Sequence, residues 1–467
     1  MKINYKLFIC IAVAAIIWFL HPFTTAPKEA WHIFAVFVSV ILSFILKPYP
    51  MGTTVLLGLI TLSVTKTINI NEALSGFADS TVWLVVGAFL IAGGVISSGI
   101  GKRIALNLVR TFGKNILGLA YSICGAELIL APVVPSNTAR GGGIIAPIVN
   151  SISHSLDSFP NKNANKAGAF LSLVGSHANL ITAAMFLTAM AANPLISKFI
   201  SEIYSVSFDW STWALGAIVP GITSLALLPL LLYKIAKPSL TNTVAAQKIA
   251  KTELKKMGAK LSVKESIMLF ILCMLLILWS TKFLHGFSTT LVAWIGVCIM
   301  LLTNVQSWND IIKNYKAWDT LIWLGGLLTM ANMLGNSGFI DWAVNNSKDL
   351  VADFNILASV VILGIIYFYS MYMFSMLTAH IFAVASTFLA LCFAADVPPL
   401  LAGAIFAYFS SLCGTTTNYS TGPVIIYFGL GYVKTPKWFS VGFIVSLFHI
   451  VIWLGLGLVW WKFLGWW

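Results

Sequence analysis

Charged side chains are what the sequence has least of: they make up 9% of its 467 residues, where soluble domains carry about 25%. A water-soluble globular chain is thereby excluded. Acids are rarer than bases, 15 Asp and Glu against 28 Lys and Arg. Cysteine is sparse as well. All six (Cys10, Cys124, Cys273, Cys298, Cys392, Cys413) stand in apolar stretches without CxxC or histidines at ligand spacing, so neither a disulfide framework nor a zinc site is indicated. Neither HExxH nor Gly-x4-Gly-Lys-[Ser/Thr] occurs, which leaves an intramembrane enzyme without its usual metal or nucleotide signature. No metal and no cofactor are expected. No small-residue cleavage site follows the apolar run after Lys2 and Lys6, and His21-Pro22-Phe23 ends it; it reads as a retained first helix, not a leader.

What is abundant is apolar: 59% of the chain is hydrophobic and 13% aromatic. The apolar residues come in long unbroken runs such as Leu7 to Leu20 and Ile267 to Trp279, unlike the short alternating strands of a membrane barrel. The fold class expected is therefore all-α and polytopic. Eleven spans are predicted, near 6–21, 30–46, 51–65, 80–98, 166–196, 212–233, 265–283, 288–303, 319–335, 400–430 and 438–461. Two further apolar stretches, about 115–155 and 356–395, are interrupted by polar clusters at mid-length and suit re-entrant helical hairpins. With the N-terminus cytoplasmic and the C-terminus outside, the lysine-rich connections fall on the inner side, while Lys348 and the acids Asp341, Asp349 and Asp353 fall outside. The net charge of +13 then reflects topology and contact with membrane lipid, not nucleic acid, for which no basic–aromatic interleaving exists.

After a first helix in 1–29, a lysine-rich linker at 234–264 separates two halves, 30–233 and 265–467. A shift of 239 positions lays Ser98-Gly99 on Ser337-Gly338 and Gly175-Ser176-His177-Ala178-Asn179 on Gly414-Thr415-Thr416-Thr417-Asn418. Five spans is an odd number, so the second copy must lie inverted, as in secondary transporters.

Pro135-Ser136-Asn137-Thr138-Ala139-Arg140, followed by Gly141 to Gly143, puts hydroxyls, an amide and a cation inside an apolar hairpin. Lipid does not tolerate such backbone, so it lines a cavity or is packed in protein. The second arm of a hairpin also presents a helix N-terminus that favours an anion. Arg140 has a structural alternative, pairing with Glu127 or a carbonyl. In the second hairpin Thr378-Ala379-His380 takes the equivalent place at a shift of 242, Thr378 matching Ser136 and His380 matching Thr138. Two helix breaks are expected, at Gly175–Asn179, carrying His177 and Asn179, and at Gly414–Pro423, carrying Thr417, Asn418 and Tyr419. Arg140, His177 and His380 would supply up to three cationic groups for an anionic ligand.

At these residues the chain resembles the divalent-anion/sodium symporter (INDY) family, in particular its branch of dicarboxylate exchangers. Its markers are Pro135 to Arg140, Met185 to Pro194, and Tyr419-Ser420-Thr421-Gly422-Pro423. The resemblance implies a homodimer, and a plasma (inner) membrane is the expected location. The resemblance also implies elevator movement of a transport part (113–233 and 353–467) past a scaffold (30–112 and 265–352). Symporters of the family carry Ser-Asn-Thr in both hairpins, whereas here Thr378-Ala379-His380 departs from the second motif. The expectation is sodium-independent exchange of C4–C5 dicarboxylates (succinate, malate, fumarate, 2-oxoglutarate), with cationic side chains replacing sodium; sodium- or proton-coupled symport of a dicarboxylate or citrate is the alternative.

Overall fold

The computed structural model describes residues 5–21, 24–347 and 355–467. The expectations placed on Lys2, Pro22-Phe23, Lys348, Asp349, Asp353 and the 352/353 boundary lie outside the described residues. Within them no strand forms, and nine helices are long and apolar enough to cross a membrane, with four shorter apolar helices beside them. Helices start where the sequence offers a short polar side chain to the free amides of a first turn. Asp79 accepts from the Thr81 amide, Asp209 from Thr212 and Asn355 from Ala358, and Ser262 with Glu265 makes a reciprocal capping box.

The two halves interlock. Ser80–Ser98 packs on Thr289–Leu302, while its counterpart Tyr315–Asn336 packs on Met51–Val64, an exchange of partners expected of two copies related by a pseudo-two-fold axis. The turns at the ends of these helices hold Gly99 and Gly338, both at φ +81, a left-handed conformation that favours glycine.

The first hairpin consists of Ile116–Leu130, a tip, the widened π-helical turn Thr138–Ile145 and Ala146–Ser155. Its two ends are held beside one segment: the Ile116 amide donates to Thr241 O at 3.0 Å, and the Ser239 and Leu240 amides donate to Asn165 and Lys166. The second hairpin runs through Ile356–Ser370, Leu377–His380, the π-helical Ile381–Ala385 and Ser386–Ala394.

Two expectations are corrected here. Gly175-Ser176-His177-Ala178-Asn179 is not a break but the middle of the continuous helix Gly168–Met185. The break of the first half comes later, at extended Phe186 and Met190 around the short turn Leu187–Ala189. Asn193 explains it, since its amide donates to Ala183 O (2.8 Å) and Phe186 O (3.0 Å), taking over carbonyls that the ending helix leaves free. The break in the second half lies at Thr417–Thr421, as expected, before Gly422–Gly429. Pro194 and Pro423 both stand in the first turn of the helix after the break, so these segments correspond at a shift of 229 positions (194 to 423), not 239.

The linker forms the helix Val244–Lys256 against Ile100–Phe112 and Ala146–Ser155. Arg103 anchors the chain beyond that helix: its fork holds both Glu265 oxygens at 2.6 and 3.0 Å and the carbonyls of Met257 and Gly258. A lysine cannot reproduce that planar fork. Arg103→Lys is expected to cost about 1–3 kcal/mol, the strength of hydrogen bonds to charged groups, read as a lower thermal midpoint of the purified protein.

Candidate functional site

The tip of the first hairpin is shaped by local bonds. Ser136 Oγ accepts from the Ala139 amide at 3.1 Å and Ser136 O from the Arg140 amide at 2.9 Å, so the second arm starts immediately behind Ser136. Asn137 then reaches across the molecule, its amide donating to Thr421 Oγ1 at 3.2 Å. The second tip arrives at the neighbouring residue: the Leu377 amide donates to Ser420 O at 2.8 Å. Both hairpin tips therefore converge on Ser420-Thr421, inside the second break. Tyr419 extends the cluster by donating its hydroxyl to Tyr372 O at 3.3 Å. Thr138, Thr378, Asn418, Tyr419 and Thr421 are partly accessible, while Ser136 and Asn137 are buried beside them.

Other predicted ligands stand behind this surface. Arg140 is fully buried; its Nε donates to Glu127 at 2.7 Å, Nη1 to Val134 O and Ala189 O, and Nη2 to Thr182. Asn179 donates to the same Glu127 oxygen at 3.0 Å and to Asn137 O at 3.2 Å. The guanidinium thus braces the tip against the first break, and its charge is matched. His177 shares a hydrogen bond of 2.9 Å with Thr415. His380 shares one of 2.8 Å with Ser370 and lies 4.4 Å from the Tyr367 ring. Both histidines are buried, as are Ala379 and Thr417. The expected three cationic groups facing a cavity are therefore not found: one is paired internally and two are packed against hydroxyl groups.

The hairpin register is also corrected, from 242 to 240 positions. At 240 the second tip reads Met376-Leu377-Thr378-Ala379-His380 against Ser136-Asn137-Thr138-Ala139-Arg140. The contacts agree with that register. Arg140–Glu127 falls on His380–Tyr367, and a shift of 231 in the next helix lays Asn179 and Thr182 on Ser410 and Cys413. Tyr367 shares a 2.6 Å hydrogen bond with Ser410, and Cys413 Sγ lies 4.0 Å from His380. One brace is built twice, charged in the first half and without a carboxylate in the second. Sequence reasoning placed Ser420 and Thr421 in the second break but not among the ligands, and it missed the Tyr367–Ser410–Cys413 set. For the first two the signal was their position just ahead of Gly422-Pro423, where a helix begins.

Nine long apolar helices among the described residues, with buried polar segments held between them, define an integral membrane protein. The family model described as the sodium:sulfate symporter transmembrane region matches residues 1–467. The chain belongs to that family, the divalent-anion/sodium symporters, whose members are membrane transporters and not enzymes. It is 45% identical over 462 residues to a putative malate transporter, YflS, of Bacillus subtilis, covering 99% of this chain and 96% of that one. It is 37% identical to dicarboxylate transporter 1 of spinach chloroplasts, covering 98% and 81%. Among solved structures, the crystal structure of the Alcanivorax borkumensis YdaH transporter superposes with a TM-score of 0.62 at 14% identity, over 87% of this chain and 89% of that one, a likeness of fold.

Proposed function

We propose that the chain is a sodium-independent antiporter that exchanges C4–C5 dicarboxylates such as succinate, malate, fumarate and 2-oxoglutarate. The observation that carries this is the convergence of both hairpin tips on Ser420-Thr421, supported by relatives named as malate and dicarboxylate transporters. Ser136, Asn137, Thr138, Thr378, Asn418, Tyr419 and Thr421 are the proposed ligands. Hydroxyls, the Asn137 amide and the first-turn N–H groups of each second arm receive the two carboxylates. Arg140, His177, Asn179 and His380 hold those donors from behind.

Sodium binding needs converging oxygens, and the second tip offers Met376 and Leu377 where the first has Ser136 and Asn137. Solvation makes the exchange obligatory. A bound dicarboxylate satisfies the donors, whereas an empty site would carry them unpaired through an apolar environment, at several kcal/mol for each group. In this reading the repeats are inverted, the hairpins re-entrant and the protein a homodimer in a plasma (inner) membrane with a cytoplasmic N-terminus. The transport part, 113–233 and 353–467, slides past the scaffold.

Reconstituted vesicles loaded with succinate should take up labelled succinate or malate by counterflow without sodium, and anion-free vesicles should take up none. Sodium-driven net uptake at the counterflow rate would sink the exchange mechanism. Asn137→Ala should weaken dicarboxylate affinity about tenfold, the loss of one hydrogen bond to a charged group, while the protein stays folded. Unchanged affinity would remove Asn137 from the site.

A further inference from the structure

Two clefts separate the second arms of the hairpins from the long helices beside them, and they are the same cleft built twice. Val95, Gly143 and Ser151 line the first where Leu334, Ala383 and Leu391 line the second, at shifts of 239 or 240 positions (95 to 334, 143 to 383, 151 to 391). They are filled differently. The linker helix Val244–Lys256 sends Ile249 and Glu253 into the first, with Glu253 bound to Lys102 at 3.0 Å, leaving about 300 Å³. Lys256 and Lys102 hold the Glu253 carboxyl down to about 2, so this plug is an apolar side chain carrying a permanent charge at its edge. No such helix enters the second cleft among the described residues, and its volume is about 570 Å³.

We propose that the second cleft holds a phospholipid with a primary-amine headgroup. Phe34, Phe37, Phe199, Phe339, Phe382 and Phe393 form its apolar wall, beside the polar Asn336, Ser386 and Thr387. An acyl chain covers such a wall, removing its apolar surface from water. The rim selects the headgroup. Glu202, a lining residue near the end of its helix, lies 3.6 Å from Lys198, and Lys198 also pairs with Asp79 at 2.5 Å. Two carboxylates therefore share one ammonium, and a cation is favoured beside them. Asn332 Oδ1, in the same lining, has no donor. A primary ammonium supplies both positive charge and N–H donors, a choline only the charge, and a glycerol headgroup only O–H donors without the charge.

The test uses the full chain in vesicles doped with an ethanolamine phospholipid bearing a photoreactive tail, with peptide mapping of the labelled residues. Labelling should concentrate on peptides spanning 199–203 and 382–393. Ala383→Trp, which fills the cleft, should reduce it about tenfold, and unlabelled ethanolamine lipid should compete about tenfold better than choline or glycerol lipid, the effect of one charge-assisted hydrogen bond. Glu202→Gln, at the rim, should keep the labelling but lose the headgroup preference, which serves as the check if the tryptophan variant does not fold. Labelling spread evenly over membrane-facing helices such as Val263–Ser280, or untouched by Ala383→Trp, would overturn the site. Equal competition by the three headgroups would overturn the amine assignment. Covalent labelling needs no transport, so the outcome is independent of the dicarboxylate assignment.

Discussion

Arg140→Met is expected to destabilise the protein by about 3–5 kcal/mol and to abolish exchange, because it strands the Glu127 carboxylate in a fully buried place without its partner. The cost comes from the partner left behind, more than from the attraction lost. A double replacement, Glu127→Leu with Arg140→Met, should therefore recover a large part of the stability, since a buried ion pair exchanged for apolar side chains is often neutral. Transport should remain impaired in the double variant: Val134 O and Ala189 O lose the guanidinium that ties the tip to the first break. Thermal unfolding of the purified protein, beside counterflow, separates two roles. A ligand role for Arg140 predicts weakened affinity with an unchanged midpoint in the single variant, which would contradict the brace.

The same residue shows what was legible in the sequence and what was not. Composition fixed the solvent, since a chain with 9% charged residues has too few polar side chains to cover a soluble surface. The tips of both hairpins and the second break were legible because Ser136 to Thr138, Thr378 and Thr417 to Thr421 place hydroxyls and amides where apolar side chains would otherwise continue. The first break was not, for a physical reason. Its segment, Phe186 to Ala192, carries one polar side chain, Thr188, and the helix ends there because Asn193 takes its carbonyls from outside. Ser176, His177 and Asn179 resembled a break but lie on a helix whose every residue is buried, where His177 meets Thr415 and Asn179 meets Glu127 instead of water. Pattern matching at one constant shift failed in the same region. The two halves join their helices with loops of different length, so the register runs from 239 in the long helices to 229 after the breaks. Only the Xaa-Pro pairs Asn193-Pro194 and Gly422-Pro423 mark the true correspondence.

Gly422→Ala tests whether the meeting of hairpin and break is what binds the ligand. A methyl group at this position would lie 2.2 Å from Thr138 Oγ1 and 2.6 Å from its Cγ2, well inside contact distance. Thr138 is short and β-branched, so it has no flexible end to swing aside, and the arm behind it is packed as well: a methyl on Gly142 would meet Ile426 at 2.2 Å. The tip itself has to move. A displacement of about 1 Å at a site built from oriented donors costs on the order of a hundredfold, so Gly422→Ala should weaken dicarboxylate exchange by about that factor, and the overpacking should lower stability by about 1–3 kcal/mol. Thr138→Ala removes both clashing atoms together with one hydroxyl ligand, and alone it should cost about tenfold. In the double variant the two losses should not multiply, because the second substitution relieves the strain that the first creates. Counterflow titrations of the four proteins give the coupling directly. Strict multiplication of the two effects would mean that Thr138 and Gly422 act independently, and the convergence at Ser420-Thr421 would then be a packing contact with no bearing on the substrate.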